Sequence, residues 1–341
     1  MSCKRSYSMQ ILIAVFIFCS LSIGFAANSI DILYEIDPFI HVYKNGTIHR
    51  LEGTERVPAS FDPTTCVRSK DIQISPKFNI SARIYLPKNT AHKLPLLVYF
   101  HNGAFFTEST FSPIYHKHLN SHVAKANVIA ISVEYRLAPE YPLPIAYEDS
   151  WLALNWVVSH FKGNRHEVWL NNYADFDRVY LGGDSVGANI VHNMAMRIGL
   201  ESPEYPIKLS GIFLNCPYFT GKNPIGNENG NTYGRSAVAN IWLHAYPNST
   251  GLDDPLVNPG MDSKLSKLGC KRVLIFVAGK DFLRDRGLFY KEALSKSGWS
   301  GNANVVDNKG EDHVFNLVHP TTPKAIHMLK TLASFLNHTK F

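Results

Sequence analysis

The chain has 341 residues, 45% hydrophobic and 18% charged, a globular composition with apolar material for one large core. Its formal net charge is +6, yet Lys and Arg are scattered among acids. No basic run interleaved with aromatics occurs, which excludes a local nucleic-acid-binding patch.

In "MSCKRSYSMQILIAVFIFCSLSIGFAANS", Lys4 and Arg5 precede an apolar run at 11–25, and Gly24-x-Ala26 marks a cleavage site. This is the order of a secretory signal over 1–26, followed by a single domain at 27–341. The run is serine-interrupted and shorter than the ~20 apolar residues of a membrane span, so no stable span is expected after signal removal. An uncleaved anchor stays open, and the lack of acids also leaves a plastid address open. Sequons at Asn45, Asn79, Asn248 and Asn337 agree with a secreted or endomembrane glycoprotein. Of five cysteines, Cys3 and Cys19 fall in the signal. The remaining Cys66, Cys216 and Cys270 make no even framework and read as free thiols, the latter two beside strand-like runs.

Residues 30–60 are mixed in texture. "KFNISARIYLP" (77–87) alternates as an edge strand or hairpin. "LPLLVYFH" (94–101), "VIAISVEY" (128–135), "RVYLGG" (178–183), "KLSGIFLNC" (208–216) and "RVLIFVAG" (272–279) are the continuous apolar runs of strands buried on both faces. Helical spacing occurs at 148–161, 188–198, 287–298 and in the C-terminal "TPKAIHMLKTLASFLNH". This alternation predicts an α/β fold with a mostly parallel sheet covered by helices. The Gly- and Asn-rich insertion at 221–251, ending in the aromatic "AVANIWLHAYPN", is a candidate cap over a site.

Gly183-Asp184-Ser185-Val186-Gly187 fits G-x-S-x-G between a strand and a helix, where a sharp turn exposes the serine at the C-terminal edge of the sheet. A hydroxyl nucleophile needs a base oriented by a third group. Asp281, directly after "RVLIFVAGK", and His313, in "GEDHVF", occupy loops after strands, in the chain order Ser, acid, His. Asp285 reads as a surface partner of Arg284 or Arg286. Asp307 and Asp312 are the other acids nearby, and His319 and His327 read as packing or solvent residues. Backbone N–H groups of Gly103, Ala104 and Val186 are candidate oxyanion donors. His116, His118 and His122 invite a metal reading, but 116 does not share the helical face of 118 and 122, and no acid or cysteine completes the set. A solvated helix face is expected there.

The blocks "LVYFHNGAFF", "SVEYRLAPEYPLPIAYEDSW", "YADFDRVYLGGDSVGANIVHNMA", "GKDFLRDRGLFYKEALSKSGW" and "GEDHVFNL" resemble the plant carboxylesterases of the hormone-sensitive-lipase group, from residue 30 onward. The resemblance implies an α/β-hydrolase fold capped by the N-terminal segment and the 221–251 insertion. It implies a Ser185–Asp281–His313 triad, with an oxyanion loop at His101, Asn102, Gly103 and Ala104, and requires no cofactor or metal. Asn102 stands where the family carries glycine, and asparagine tolerates left-handed backbone better than most residues. Val186 stands where alanine is usual, adding bulk expected beside the acyl site. Hydrolysis of small or medium carboxylic esters is the expected activity. A dehydratase or cyclase of plant specialised metabolism on the same fold is the alternative. A small-molecule receptor, like the gibberellin receptors that lack the histidine, is disfavoured by His313.

Overall fold

The computed structural model describes residues 31–163, 165–202 and 205–337. The expected signal segment, with Cys3 and Cys19, lies outside the described residues. Strands β1 (Ile32–Ile36), β2 (Ile40–Tyr43) and β3 (Ile48–Arg50) form a small antiparallel sheet. The remaining strands are β4 (Phe61–Asp62), β5 (Val67–Ser75), β6 (Ile80–Leu86), β7 (Leu94–Phe100), β8 (Ile129–Glu134), β9 (Ala174–Asp184), β10 (Leu209–Asn215), β11 (Arg272–Ala278) and β12 (Asn302–Asn308). They build one nine-stranded sheet in the order β12-β11-β10-β9-β7-β8-β6-β5-β4. From β12 to β8 every pairing is parallel, and β6, β5 and β4 add antiparallel strands at one side.

The continuous apolar runs are explained by cover on both faces. Leu97, Tyr99, Phe213, Leu274 and Phe276 face α1 (Pro113–Ala126) and α8 (Pro323–Leu336). The alternate residues Leu96, Val98, Phe100, Leu214 and Ile275 face α2 (Ile145–Val158), α4 (Val186–Glu201) and α6 (Arg284–Lys296). Short helices α3 (Val168–Tyr173) and α7 (Phe315–Val318) complete these layers, and α5 (Thr232–Ala245) lies in the insertion. β7 leads through α1 to β8 on one side, whereas the next crossover returns to β9 on the other. The order therefore switches between the carboxyl ends of β7 and β9, where such sheets open a crevice.

Several expectations are revised. β6 is no edge strand, because β5 pairs along its outer side. The half-exposed "VRSKDIQIS" of β5 lacks an apolar run to announce it. The same holds for β1 to β3, whose apolar residues only partly face the core. The face of α1 bearing His118 and His122 is buried, not solvated.

The cap has two parts, the small sheet and the insertion, and they touch where the Tyr34 and His244 rings lie 4.6 Å apart. The insertion is anchored to α6 by Arg286, whose Nε and Nη2 each donate to Glu228 at 2.6 Å. Both side chains are buried, at 4% and 3% exposure. Removing one member of a buried pair strands the other charge, at about 3–5 kcal/mol, whereas replacing both by apolar residues is near neutral. Arg286→Met is therefore expected to lower the urea midpoint strongly, and Arg286→Met with Glu228→Leu to recover most of the loss.

Candidate active site

The end of β9 and the start of α4 approach β7 so closely that side chains are excluded. A Cβ on Gly187 would lie 2.1 Å from the Phe100 carbonyl oxygen, and one on Gly183 would lie 2.6 Å from the Gly187 carbonyl carbon. Between them Ser185 takes φ 52° and ψ −116°, a conformation costly for a residue with a side chain. Its N–H donates to Asn215 O at 2.8 Å and its carbonyl accepts from Tyr218 N at 3.0 Å, so backbone bonds on both sides hold the strained turn.

Asp281 and His313 come together from the loops after β11 and β12. His313 Nδ1 lies 2.8 Å from Asp281 Oδ2, and Oδ1 accepts from the Leu283 N–H at 2.9 Å. The Asp281 side chain is 3% exposed and that of His313 is 37% exposed. Burial alone would raise the Asp281 pKa, but His313, the Leu283 N–H and the Cys216 thiol bring it below the usual carboxylate range. Desolvation would depress His313, yet the charge and hydrogen bond of Asp281 hold it above the ordinary imidazole value. The rivals are engaged elsewhere. Asp285 pairs with Arg284 at 2.8 Å, and Asp307 pairs with the same arginine at 2.6 Å. Asp312 is exposed, as are His319 and His327.

The loop after β7 lies against the same space. Directly after Asn102, Gly103 (φ 111°), Ala104 (φ 55°) and Phe105 (φ 68°) take positive φ, so the glycine-like geometry considered for Asn102 falls on its successors. The Gly103 carbonyl accepts from Phe106 N and Thr107 N, both at 2.8 Å. Across a trans peptide this turns the Ala104 N–H the opposite way. The Asn102 carbonyl likewise meets His101 Nδ1 at 2.7 Å, leaving the Gly103 N–H facing away from it. His101 contributes packing beneath the loop. Its ring is fully buried and stacks on Tyr135 at 4.3 Å, and burial pushes its pKa down to about 3. The Val186 side chain is also fully buried in the core and adds no bulk to the site cavity, contrary to expectation.

One cavity of about 410 Å³ is lined by Ser185, Asp281, His313 and residues 102–104. Phe39 and Glu52 from the N-terminal segment and Val238 and Ile241 of α5 also line it, so both parts of the cap form its roof.

Three contributors escaped the motif reading. Asp184 is fully desolvated, which raises its pKa, yet it accepts from Tyr99 Oη, from Tyr115 Oη at 3.2 Å and from Asn215 Nδ2 at 2.7 Å. Tyr115 Oη in turn accepts the Asn102 N–H at 2.9 Å, tying the loop after β7 to the residue preceding Ser185. Cys216, expected only as a buried thiol, also hydrogen-bonds Asp281. The oddly spaced histidines of α1 serve packing and hydrogen bonding: His118 Nε2 is 3.2 Å from Tyr99 Oη, and His116 contacts Arg83 and Ser60.

Sheet order and the strand-end turn place the chain in the α/β-hydrolase-fold class. The family described as alpha/beta hydrolase fold matches residues 97–317. A probable carboxylesterase 5 of Arabidopsis thaliana is 47% identical over 315 residues, covering 90% of this chain and 98% of that protein. A 2-hydroxyisoflavanone dehydratase of Glycyrrhiza echinata is 46% identical over 319 residues, 91% of this chain and 97% of that one. The solved hyperthermophilic esterase of Pyrobaculum calidifontis is 27% identical with a TM-score of 0.65, covering 80% of this chain and 86% of that one. The chain belongs to the plant carboxylesterase family of the α/β-hydrolase fold.

The pair makes a pH-dependent prediction. Because His313 is raised, its contribution to stability is full below the unfolded imidazole pKa of about 6.5 and is lost as pH rises through the folded value. Because Asp281 is lowered, its contribution is present above about 3.9 and is lost as pH falls through the folded value. NMR titration of the His313 ring should give a pKa above that of free histidine, and Asp281→Asn should move it down.

Proposed function

We propose that this protein hydrolyses small or medium carboxylic esters through an acyl-enzyme on Ser185. The carrying observation is the single cavity that Ser185, the His313–Asp281 pair and the loop 102–104 all line. In this reading Ser185 Oγ attacks the ester carbonyl carbon. His313 receives its proton at Nε2, since Nδ1 is committed to Asp281. The N–H groups of Gly103, Ala104 and Val186 stabilise the oxyanion, and Val186 starts α4, where the helix dipole favours negative charge. Collapse breaks the C–O bond, and the imidazolium protonates the departing alkoxide. Water then attacks the acyl group, His313 accepts its proton, and Ser185 leaves re-protonated as the acid departs. Apolar walls at Phe39, Ile241 and Phe282 suit a small or medium hydrocarbon group.

The relatives named 2-hydroxyisoflavanone dehydratase favour a second reading, elimination of water from a flavonoid-like substrate in the same cavity. A receptor role is disfavoured by the intact His313–Asp281 pair.

Steady-state hydrolysis of p-nitrophenyl acetate and butyrate tests the main reading. Ser185→Ala should fold normally and lose about 10⁴-fold or more in turnover. Asp281→Asn should lose activity strongly, whereas Asp285→Asn should change it little. A folded Ser185→Ala protein keeping a tenth of the activity would overturn the assignment. Loss of water from 2-hydroxyisoflavanone, with no ester turnover, would establish the second reading.

For compartment, the proposal is a mature chain at 27–341 entering the secretory pathway as a glycoprotein. Asn45, Asn79 and Asn248 are exposed, which supports glycan attachment. The Asn337 amide is occupied, donating to Ala126 O at 2.7 Å and Ala333 O at 2.9 Å, and is the poorest acceptor. N-terminal sequencing of protein from native tissue should begin near Ala27, and deglycosylation should lower its mass. An intact Met1 with no mass change would refute this.

A further inference from the structure

A second cavity, of about 420 Å³, lies on the opposite face of the sheet from α4, between α1 and α8. Its volume falls in the range of small-molecule sites. Its walls are apolar, built from Phe213 and Phe276 of the sheet and Met328, Leu329 and Leu332 of α8. The mouth carries exposed Lys117 and Val318.

The floor of this cavity is polar. Asn215 is 2% exposed, and its Nδ2 is shared between Asp184 and Asn316. His122 places Nδ1 2.8 Å from the His118 carbonyl, which can only accept, so that nitrogen carries the proton. Burial pushes the His122 pKa down to about 3, so its Nε2 is left as a lone-pair acceptor. His122 Nε2 therefore presents an acceptor to the cavity, and a ligand hydroxyl that donates matches it.

We propose that this cavity is a binding site for a phenol: an aromatic body between Phe213, Phe276 and α8, with its hydroxyl donating to His122 Nε2. The site is distinct from the Ser185 cavity but adjoins it. The two share Ile114, Leu317 and Val318 as a common wall, and Leu317 and Val318 belong to α7, which follows His313 by one residue. Asp184 contributes to the floor on this side and precedes Ser185 on the other.

Calorimetric titration of the full chain with 2-naphthol tests the proposal independently of any ester turnover. Saturable binding is expected, and 2-methoxynaphthalene, which cannot donate, should bind about tenfold more weakly or worse. Ala325→Phe fills the cavity beside α8 and should cost at least about tenfold in 2-naphthol affinity. Leu329→Trp, at a half-buried position that tolerates bulk, should do the same if the first variant fails to fold. Ile241→Trp narrows only the Ser185 cavity and should leave the affinity within about threefold. Absence of saturation up to about 1 mM overturns the proposal. So does equal affinity for the methoxy compound, or sensitivity to Ile241→Trp with none to Ala325→Phe or Leu329→Trp.

Discussion

The close contact between the first turn of α4 and the carboxyl end of β7 constrains everything else in the site. At 2.1 Å from a carbonyl oxygen there is no room for a Cβ on Gly187, and this intimacy sets Ser185 into its strained turn. It also places the loop after β7 next to the serine. Strain at a turn persists only where the surroundings over-determine it. Here the over-determination comes from Asn215, Tyr218 and the buried polar cluster around Asp184. The switch in strand order opens the crevice, and the glycines let two backbones meet inside it.

Around that contact the protein uses two kinds of support. Beneath the site lies a layer of buried tyrosines, histidines and amides joined by hydrogen bonds across several elements. Above it lies the cap, assembled from chain segments almost two hundred residues apart, with its insertion pinned to α6 by a buried ion pair. The lower layer fixes where the reactive groups stand, and the upper one decides what reaches them. Changes in Phe39, Val238 or Ile241 can therefore reshape the cavity without touching the groups that line its floor.

The parts legible in the sequence share a physical origin. Parallel strands buried on both faces must be continuously apolar, so β7 to β11 stand out. Loops at the carboxyl ends of the strands collect site residues, so Ser185 and Asp281, after β9 and β11, and His313, in the loop after β12, could be found from position and residue type. Asp184 and Tyr115 could not, because their role is a contact across 69 residues between two positions of ordinary appearance. β1 to β3 and β5 stayed hidden because their side chains are half-exposed and carry no run. The α1 histidines misled for the opposite reason: polar types suggested solvent, but neighbouring tyrosines and carbonyls satisfy them inside. Asn102 misled in its backbone, since the turn it was expected to absorb is spread over the next three residues.

The link from Asn102 through Tyr115 to Asp184 has a direction. A peptide N–H can only donate, and the Asp184 carboxyl oxygen accepts from the Tyr115 phenol. The single proton of the phenol between them is thus committed to Asp184, and its lone pair to Asn102. The chain cannot run backwards, as a hydroxyl between two ambivalent partners could. The peptide plane at Asn102 is consequently set by the identity of an acid on another strand, so that chemical type, as much as shape, orients the loop facing Ser185.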